Sequence, residues 1–343
     1  MKRVLIVKLG ALGDIVHAIP VAAALRRAHP AARIDWLVSA KHRGILDLVP
    51  VIDRRLVIND RGAGAGGGIL DAIRELRRGQ YDVALDLQGL VKSAVFARSS
   101  GAERVVGFAS HYLRERFARP FYTEVYDPGG AGIYGAGERH VVFTNLGLLE
   151  RLGIHAVAPE FPIDRVESAV AADISARTAG RYALLNPGAA WPTKRWEPAR
   201  LAGVAAALRE QHALASVVIW GPGEEALARE VVAASSGAAI LSPKTSISDL
   251  VELSRGATLF VSGDTGPAHI AAAVGTPIVG IYGPTRPSRN GPWSPDDVTV
   301  TRDAVCQCHH LRRCRLKTMC LSDIQVGEVL GAIERRLAGA RRV

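Results

Sequence analysis

The 343-residue chain has no run of roughly 18 apolar residues, the length a bilayer-spanning helix requires, so no transmembrane segment is expected. Its N-terminus, MKRVLIVKLGALGD, is broken too early by charge and glycine to be a signal peptide and reads as a first strand. The expectation is a cytoplasmic protein, at most peripheral to a membrane. Cysteine is scarce: four residues, confined to Cys306-x-Cys308-x5-Cys314-x5-Cys320, with His309 and His310 among them. A cytosolic setting argues against structural disulfides. The CxC pair and the two five-residue gaps fit no standard zinc spacing, so a compact loop of free thiols is preferred to a metal site. Zinc-finger, RNP and helix-turn-helix patterns are missing too, and the basic residues form no long block. Nucleic acid is therefore not the expected partner.

What the chain does have is positive charge and apolar residues enough for two cores. Its formal net charge is +10, which favours anionic partners such as phosphorylated metabolites or an acidic membrane surface. Its length is more than twice the usual domain size, and 48 % of its residues are apolar. Two domains are expected, 1–165 and 166–343.

Short β-branched runs alternate with helical patterns. VLIVK (4–8) precedes an alanine-rich helix over 14–28; RIDWLV (33–38) precedes a short helix; RLVI (55–58) is followed by the glycine loop RGAGAGGG and a helix near 69–78; YDVALDL (81–87) leads to a helix from about Leu90. Around 153–180 the alternation lapses, and GIHAVAPEFPID, with two prolines, marks a linker. It resumes with RYALLNPG (181–188), a helix near 197–210, ASVVIWGPG (215–223), helices from Glu224 and near 246–255, ATLFVSGD (257–264), a helix from Thr265 and PIVGIYGP (277–284). Strand–helix repetition of this kind predicts two α/β domains with parallel sheets, and a ligand held in a cleft facing the C-terminal strand ends.

The loops after the strands carry the chemistry. The first, LGALGD, lacks the G-x-G-x-x-G dinucleotide fingerprint, which weighs against an oxidoreductase. Asp14 there is either a helix N-cap or a general base at a sheet edge. In GDTGPAH, the N–H groups of Thr265 and Gly266 open a helix as a diphosphate requires, Asp264 accepts sugar hydroxyls or caps the helix, and His269 faces the cleft or the core. NPGAAWPTKRW offers Thr193 and Lys194, the lysine being either a point charge beside a diphosphate or a solvated surface residue. In WGPGEE, Glu224 caps a helix or holds the two hydroxyls of a ribose. Together these outline a nucleotide-sugar site, which Lys8, Lys92, Arg114 and His140 of the first domain would face with positive charge.

The pieces VLIVKLGALGDIVHAIP, YDVALDLQGLVKSA, NPGAAWPTKRW and GDTGPAHIAAAVGTPIVGIYGPT resemble the lipopolysaccharide heptosyltransferases, nearly end to end and in order. The GDI-x-H-x-x-P start and DLQGLVKSA are nearer the type I branch, which adds the first heptose to Kdo, than type II. The resemblance implies a GT-B fold, two Rossmann-like domains facing a central cleft, and inverting transfer from ADP-L-glycero-β-D-manno-heptose to Kdo-lipid A at the cytoplasmic face of the inner membrane. It assigns Asp14 as general base, Lys194 to the donor phosphates, Glu224 to the ribose, and Asp264, Thr265, Gly266 and His269 to the donor loop. Lys8, Lys92, Arg114 and His140 match acceptor-side residues; the glycine loop at 62–68 falls where further basic residues are expected, leaving Arg55 and Arg61 as the candidates. No cofactor is implied, since these groups neutralise the phosphates without a divalent ion. The terminal helix, about 325–338, is expected to return to the first domain. The cysteine segment is less like the type I branch. Rivals are the same transfer with another nucleotide sugar or acceptor (the type II step included), a non-catalytic nucleotide-sugar binder, and a sugar-nucleotide epimerase.

Overall fold

Apolar runs too short for helices and buried on both faces become central strands, and four of them, VLIV, VALD, YALLN and LFVS, sit at the middle of two sheets. The computed structural model describes residues 1–59, 66–133, 135, 139–155, 157–306, 308–309 and 311–340. The chain divides into two compact units, Met1–Asp164 and Arg165–Val343.

The first unit runs β1 (Arg3–Val7), α1 (Leu12–Val16), α2 (Ile19–Ala28), β2 (Arg33–Ser39), α3 (Arg43–Leu46), β3 (Arg54–Ile58), α4 (Gly66–Arg78), β4 (Val83–Asp86), α5 (Val91–Ser99), β5 (Arg104–Phe108), β6 (Glu124–Tyr126) and α6 (Val141–Gly147). Its six strands are parallel in the order β3-β2-β1-β4-β5-β6. Val4 pairs with Ile34 on one side and Val83 on the other, so the chain reverses its winding between β1 and β4.

The second unit runs α7 (Ala169–Arg177), β7 (Tyr182–Asn186), α8 (Pro198–His212), β8 (Ala215–Val218), α9 (Glu225–Ala234), β9 (Ala239–Leu241), α10 (Ile247–Gly256), β10 (Leu259–Gly263), α11 (Gly266–Ala273), β11 (Ile278–Tyr282), α12 (Pro287–Asn290), β12 (Val298–Thr301) and α13 (Val326–Ala340). Its parallel order, β12-β11-β10-β7-β8-β9, is the same winding repeated. The reversal falls between β7 and β10, where Leu185 pairs with Val261. Leu185, Val218 and Val261 pack with Leu201, Ala205 and Leu208 of α8 and with Val329 and Ile333 of α13, all within 2 % of full burial. Truncating one such leucine to alanine costs about 2–5 kcal/mol. α13 therefore closes the core of its own unit, against α8, β11 and β12.

Three local expectations change. The helix over 14–28 is two helices, because Pro20 in the first turn of α2 has no N–H for the carbonyl of Val16. α4 begins at Gly66, before 69, and residues 60–65, which include the first part of the glycine loop, lie outside the described residues. The linker span contains α7, capped by Ser168, whose hydroxyl accepts the N–H of Ala171 at 3.0 Å. Among the described residues, no helix is long and apolar enough to cross a membrane.

Candidate active site

In a doubly wound sheet, the loops at the C-terminal strand ends separate where the winding reverses, and that gap is where a ligand fits. Each unit has one, and both collect residues from the loops that carry the sequence motifs.

At the β7–β10 reversal, Asn186 ends β7. Its amide donates to Ser262 Oγ at 3.2 Å and Thr265 Oγ1 at 3.1 Å, while its carbonyl oxygen accepts the N–H of Gly188 at 3.2 Å. These buried contacts tie the NPGAAW loop to the GDTGP turn. Thr265, not Asp264, caps α11, accepting the Ala268 N–H at 3.4 Å. The first-turn N–H of Gly266 is thereby presented at the helix start, where a helix has no acceptor of its own.

Asp264 is committed elsewhere. Its Oδ2 lies 2.5 Å from Lys194 Nζ and its Oδ1 3.1 Å from His269 Nε2. Burial works against its charge, yet the His269 hydrogen bond and the Lys194 ammonium outweigh it and hold the carboxyl well below the usual carboxylate range. Lys194 is not a solvated surface lysine: its side chain is 14 % exposed and its ammonium sits 4.5 Å over the ring of Trp191. Glycine lets this loop approach, since a Cβ on Gly263 would meet the carbonyl oxygen of Lys194 at 2.8 Å. Thr193 is buried and donates to the Leu311 carbonyl at 3.4 Å.

Glu224 precedes α9 but makes no side-chain cap. Its Oε2 accepts the N–H of Gly221 at 3.2 Å, and the carboxylate lies against Gly188 so closely that a Cβ there would collide with it. The carboxylate thus stands between the loops after β7 and β8. The buried hydroxyl of Thr285, in the loop after β11, has no hydrogen-bond partner.

At the β1–β4 reversal, Asp14 is half-buried at the third position of α1, within the helix's first turn, where its side chain reaches back to the N-cap residue. Its Oδ2 accepts the N–H of Ala11 at 3.3 Å. Lys8 is buried and donates to the Leu87 carbonyl at 2.6 Å, and Gln88 Oε1 accepts the N–H groups of Leu9 and Gly10 at 3.1 and 3.3 Å. Beneath them, the fully buried Asp86 accepts from Gln88 N, Gly89 N, Ser93 Oγ and Tyr122 Oη. Burial pushes its carboxyl up, against the pull of those four donors. Lys92, on the first turn of α5, and Arg114 are exposed at the same edge. His140 caps α6, its Nδ1 accepting the Val142 N–H at 3.3 Å, and its ring meets that of His17 edge-on at 5.7 Å.

Arg55 is engaged elsewhere: its guanidinium donates to the carbonyls of Leu46, Val49 and Ile52 at 2.8–3.0 Å, closing the end of α3. Arg61 lies outside the described residues. The four cysteines are free, with Cys308 and Cys314 sulfurs 3.7 Å apart, and among the described residues no group of His, Cys, Asp and Glu is arranged to hold a metal. Their segment packs on the loops after β7 and β11, through Leu311 and through His309, whose ring nitrogen lies 3.4 Å from the Pro284 carbonyl. Sequence reasoning overlooked Asn186 and Ser262, although both stand inside motifs it singled out.

Two parallel six-stranded sheets wound alike, one after the other, are the GT-B glycosyltransferase architecture. The model of glycosyltransferase family 9 (heptosyltransferase) matches residues 69–320, and the chain belongs to that family. It is 29 % identical over 314 residues to lipopolysaccharide heptosyltransferase 1 of Pseudomonas aeruginosa, covering 89 % of this chain and 85 % of the relative. A family 9 glycosyltransferase from Veillonella parvula superimposes with a TM-score of 0.82 at 23 % identity, over 98 % of this chain and 97 % of that one. The E. coli heptosyltransferase WaaC with ADP gives 0.78, also at 23 % identity, over 97 % and 99 %. The chain is a glycosyltransferase.

Proposed function

We propose that the protein transfers L-glycero-D-manno-heptose from ADP-heptose to Kdo of the lipopolysaccharide inner core, with inversion at the anomeric carbon. The observation that carries the donor half is the buried Lys194–Asp264–His269 array beside the open first turn of α11. An ammonium has three N–H donors and Asp264 takes one, leaving charge and hydrogen bonds for a diphosphate. The Gly266 N–H adds a fixed dipole, and Glu224 is placed to accept from ribose hydroxyls. The names of the relatives, lipopolysaccharide heptosyltransferase 1 and an enzyme solved with ADP, support heptose, ADP and a lipopolysaccharide acceptor.

The first unit binds the acceptor in this reading and the second the nucleotide sugar. Asp14 takes the proton from an acceptor hydroxyl as its oxygen attacks the anomeric carbon. The bond to the diphosphate breaks, its electron pair leaves with ADP, and Lys194 with the α11 N-terminus stabilises that charge. One displacement inverts the centre. Lys8, Lys92, Arg114 and His140 meet the acidic acceptor, at the cytoplasmic surface of the inner membrane.

The test is ADP release with Kdo-lipid A and ADP-heptose, against the same acceptor with UDP- and GDP-sugars, and against an acceptor already carrying the first heptose. Turnover with ADP-heptose and the heptose-free acceptor is the expected result. Turnover only with the heptosylated acceptor moves the protein to the next step, and turnover only with another nucleotide sugar removes the donor assignment.

A further inference from the structure

Phe117 is 84 % exposed, far more than any other large apolar side chain described. It belongs to a 3-10 turn, Arg116–Phe121, that follows β5 and packs against α5. α5 in turn packs against α4, whose first full turn carries Ile69 and Leu70 at 52 % and 56 % exposure. Helices in a parallel α/β sheet begin at the C-terminal strand edge. The starts of α4 and α5 and the turn after β5 therefore lie at the same rim of the first unit, α4 following the outer strand β3 and the turn following β5, four places along the sheet. Three of the seven large apolar side chains exposed among the described residues lie on that rim.

The charges on it are mostly positive. Lys92, Arg114 and Arg116 are exposed, and Arg119 is partly so, its guanidinium donating to the Tyr122 carbonyl at 3.3 Å. The acids there are engaged: Glu115 Oε2 accepts the Val91 N–H at 2.7 Å, and Asp71 pairs with Arg74 at 2.8 Å. Glu115 thereby pins the base of the Phe117 turn to the start of α5. An aromatic held outward on a fastened turn, two further apolar side chains on the same rim and a fringe of arginine match a membrane interface, where rings enter the headgroup layer and cations meet lipid phosphates.

We infer that this rim is the face by which the protein docks on an anionic lipid bilayer, with Phe117, Ile69 and Leu70 entering the headgroup layer and Arg116 with its neighbours binding phosphates. It deepens the proposed function, resting on that reading for the membrane-borne acceptor, and it places the acceptor-side strand ends next to the lipid surface.

The experiment compares wild type with Phe117→Ser/Arg116→Glu and with Ile69→Ser/Leu70→Ser, none of which lies in the proposed catalytic or binding set. Co-sedimentation is measured with phosphatidylglycerol-rich and with phosphatidylcholine vesicles. Transfer is measured to lipid-linked acceptor and to the same acceptor stripped of acyl chains. Wild type is expected on the anionic vesicles only and released by salt, with the Phe117→Ser/Arg116→Glu variant binding roughly tenfold or more weakly. Its transfer to lipid-linked acceptor falls in step while transfer to the stripped acceptor is unchanged. Vesicle binding equal to wild type in both variants overturns the inference, as does a wild type that ignores anionic vesicles. If wild type transfers no heptose yet the variants lose vesicle binding, the docking face stands and the acceptor assignment is what fails.

Discussion

The same winding ends differently in the two units. Where β7 and β10 part, Asn186 locks Ser262 and Thr265 together, Lys194 and His269 clamp Asp264, and all six side chains are buried or nearly so. Where β1 and β4 part, the buried network is Asp86 with its four donors, one layer below the surface, and Asp14 above it stays half-buried beside a long bond from Ala11. A rigid array with its charge fixed in advance suits a group that must stabilise a diphosphate without rearranging. A carboxylate left within reach of water and substrate suits a group that must gain and lose a proton. The repeated fold supplies the position, and in the proposed function the burial of the acid separates the two roles.

Four changes break or sharpen this contrast, in falling order of effect. Asp14→Asn removes the proposed proton acceptor while keeping shape, and transfer should drop by on the order of 10²–10⁴ in steady-state rate. Lys194→Ala removes the charge proposed to stabilise the leaving group; a fall of roughly 10²–10³ in kcat/KM is expected, measured by ADP release. Gly188→Ala puts a methyl group into the Glu224 carboxylate, so the donor KM should rise about fivefold, the worth of one compromised charged hydrogen bond, with kcat little changed. Arg55→Ala, which strips the carbonyls of Leu46, Val49 and Ile52 of their donor, should lower unfolding free energy by about 1–2 kcal/mol in urea melts.

Acid sharpens it further. Asp264 has a folded pKa below its unfolded one, so its contribution to stability is fully present above about pH 4 and is lost as pH falls from there toward the folded value. Wild type should therefore lose Tm more steeply between about pH 4 and pH 2 than Asp264→Asn does. Equal slopes would mean that the Lys194–Asp264–His269 array does not hold the ionised carboxylate.

The central strands are legible because runs such as VLIV and LFVS bury both faces and admit no other reading. β5, β6, β9 and β12 are not, being short and flanked by loops without a helical period: EVY and AIL are three residues each. α7 hides in a proline-bearing span because only Ser168, an N-cap by chemistry, announces it. Of the site, motif positions such as Lys194, Thr265 and Asp264 are visible as loop chemistry, but their partners are not. The bond from Asn186 to Thr265 spans 79 positions and that from Tyr122 to Asp86 spans 36, distances that no local pattern encodes. The role of Arg55 is hidden for the same reason, since an arginine on a strand looks like a surface charge until the carbonyls at the end of α3 fold beneath it.

The division of labour between the two reversals is tested most directly by ADP binding, measured by calorimetry on Asp14→Asn and Lys194→Ala beside wild type. The account predicts that Asp14→Asn binds ADP within about twofold of wild type, while Lys194→Ala weakens it by roughly tenfold or more, the worth of a charge-assisted contact. Equal weakening by the two substitutions, or none by Lys194→Ala, would contradict it.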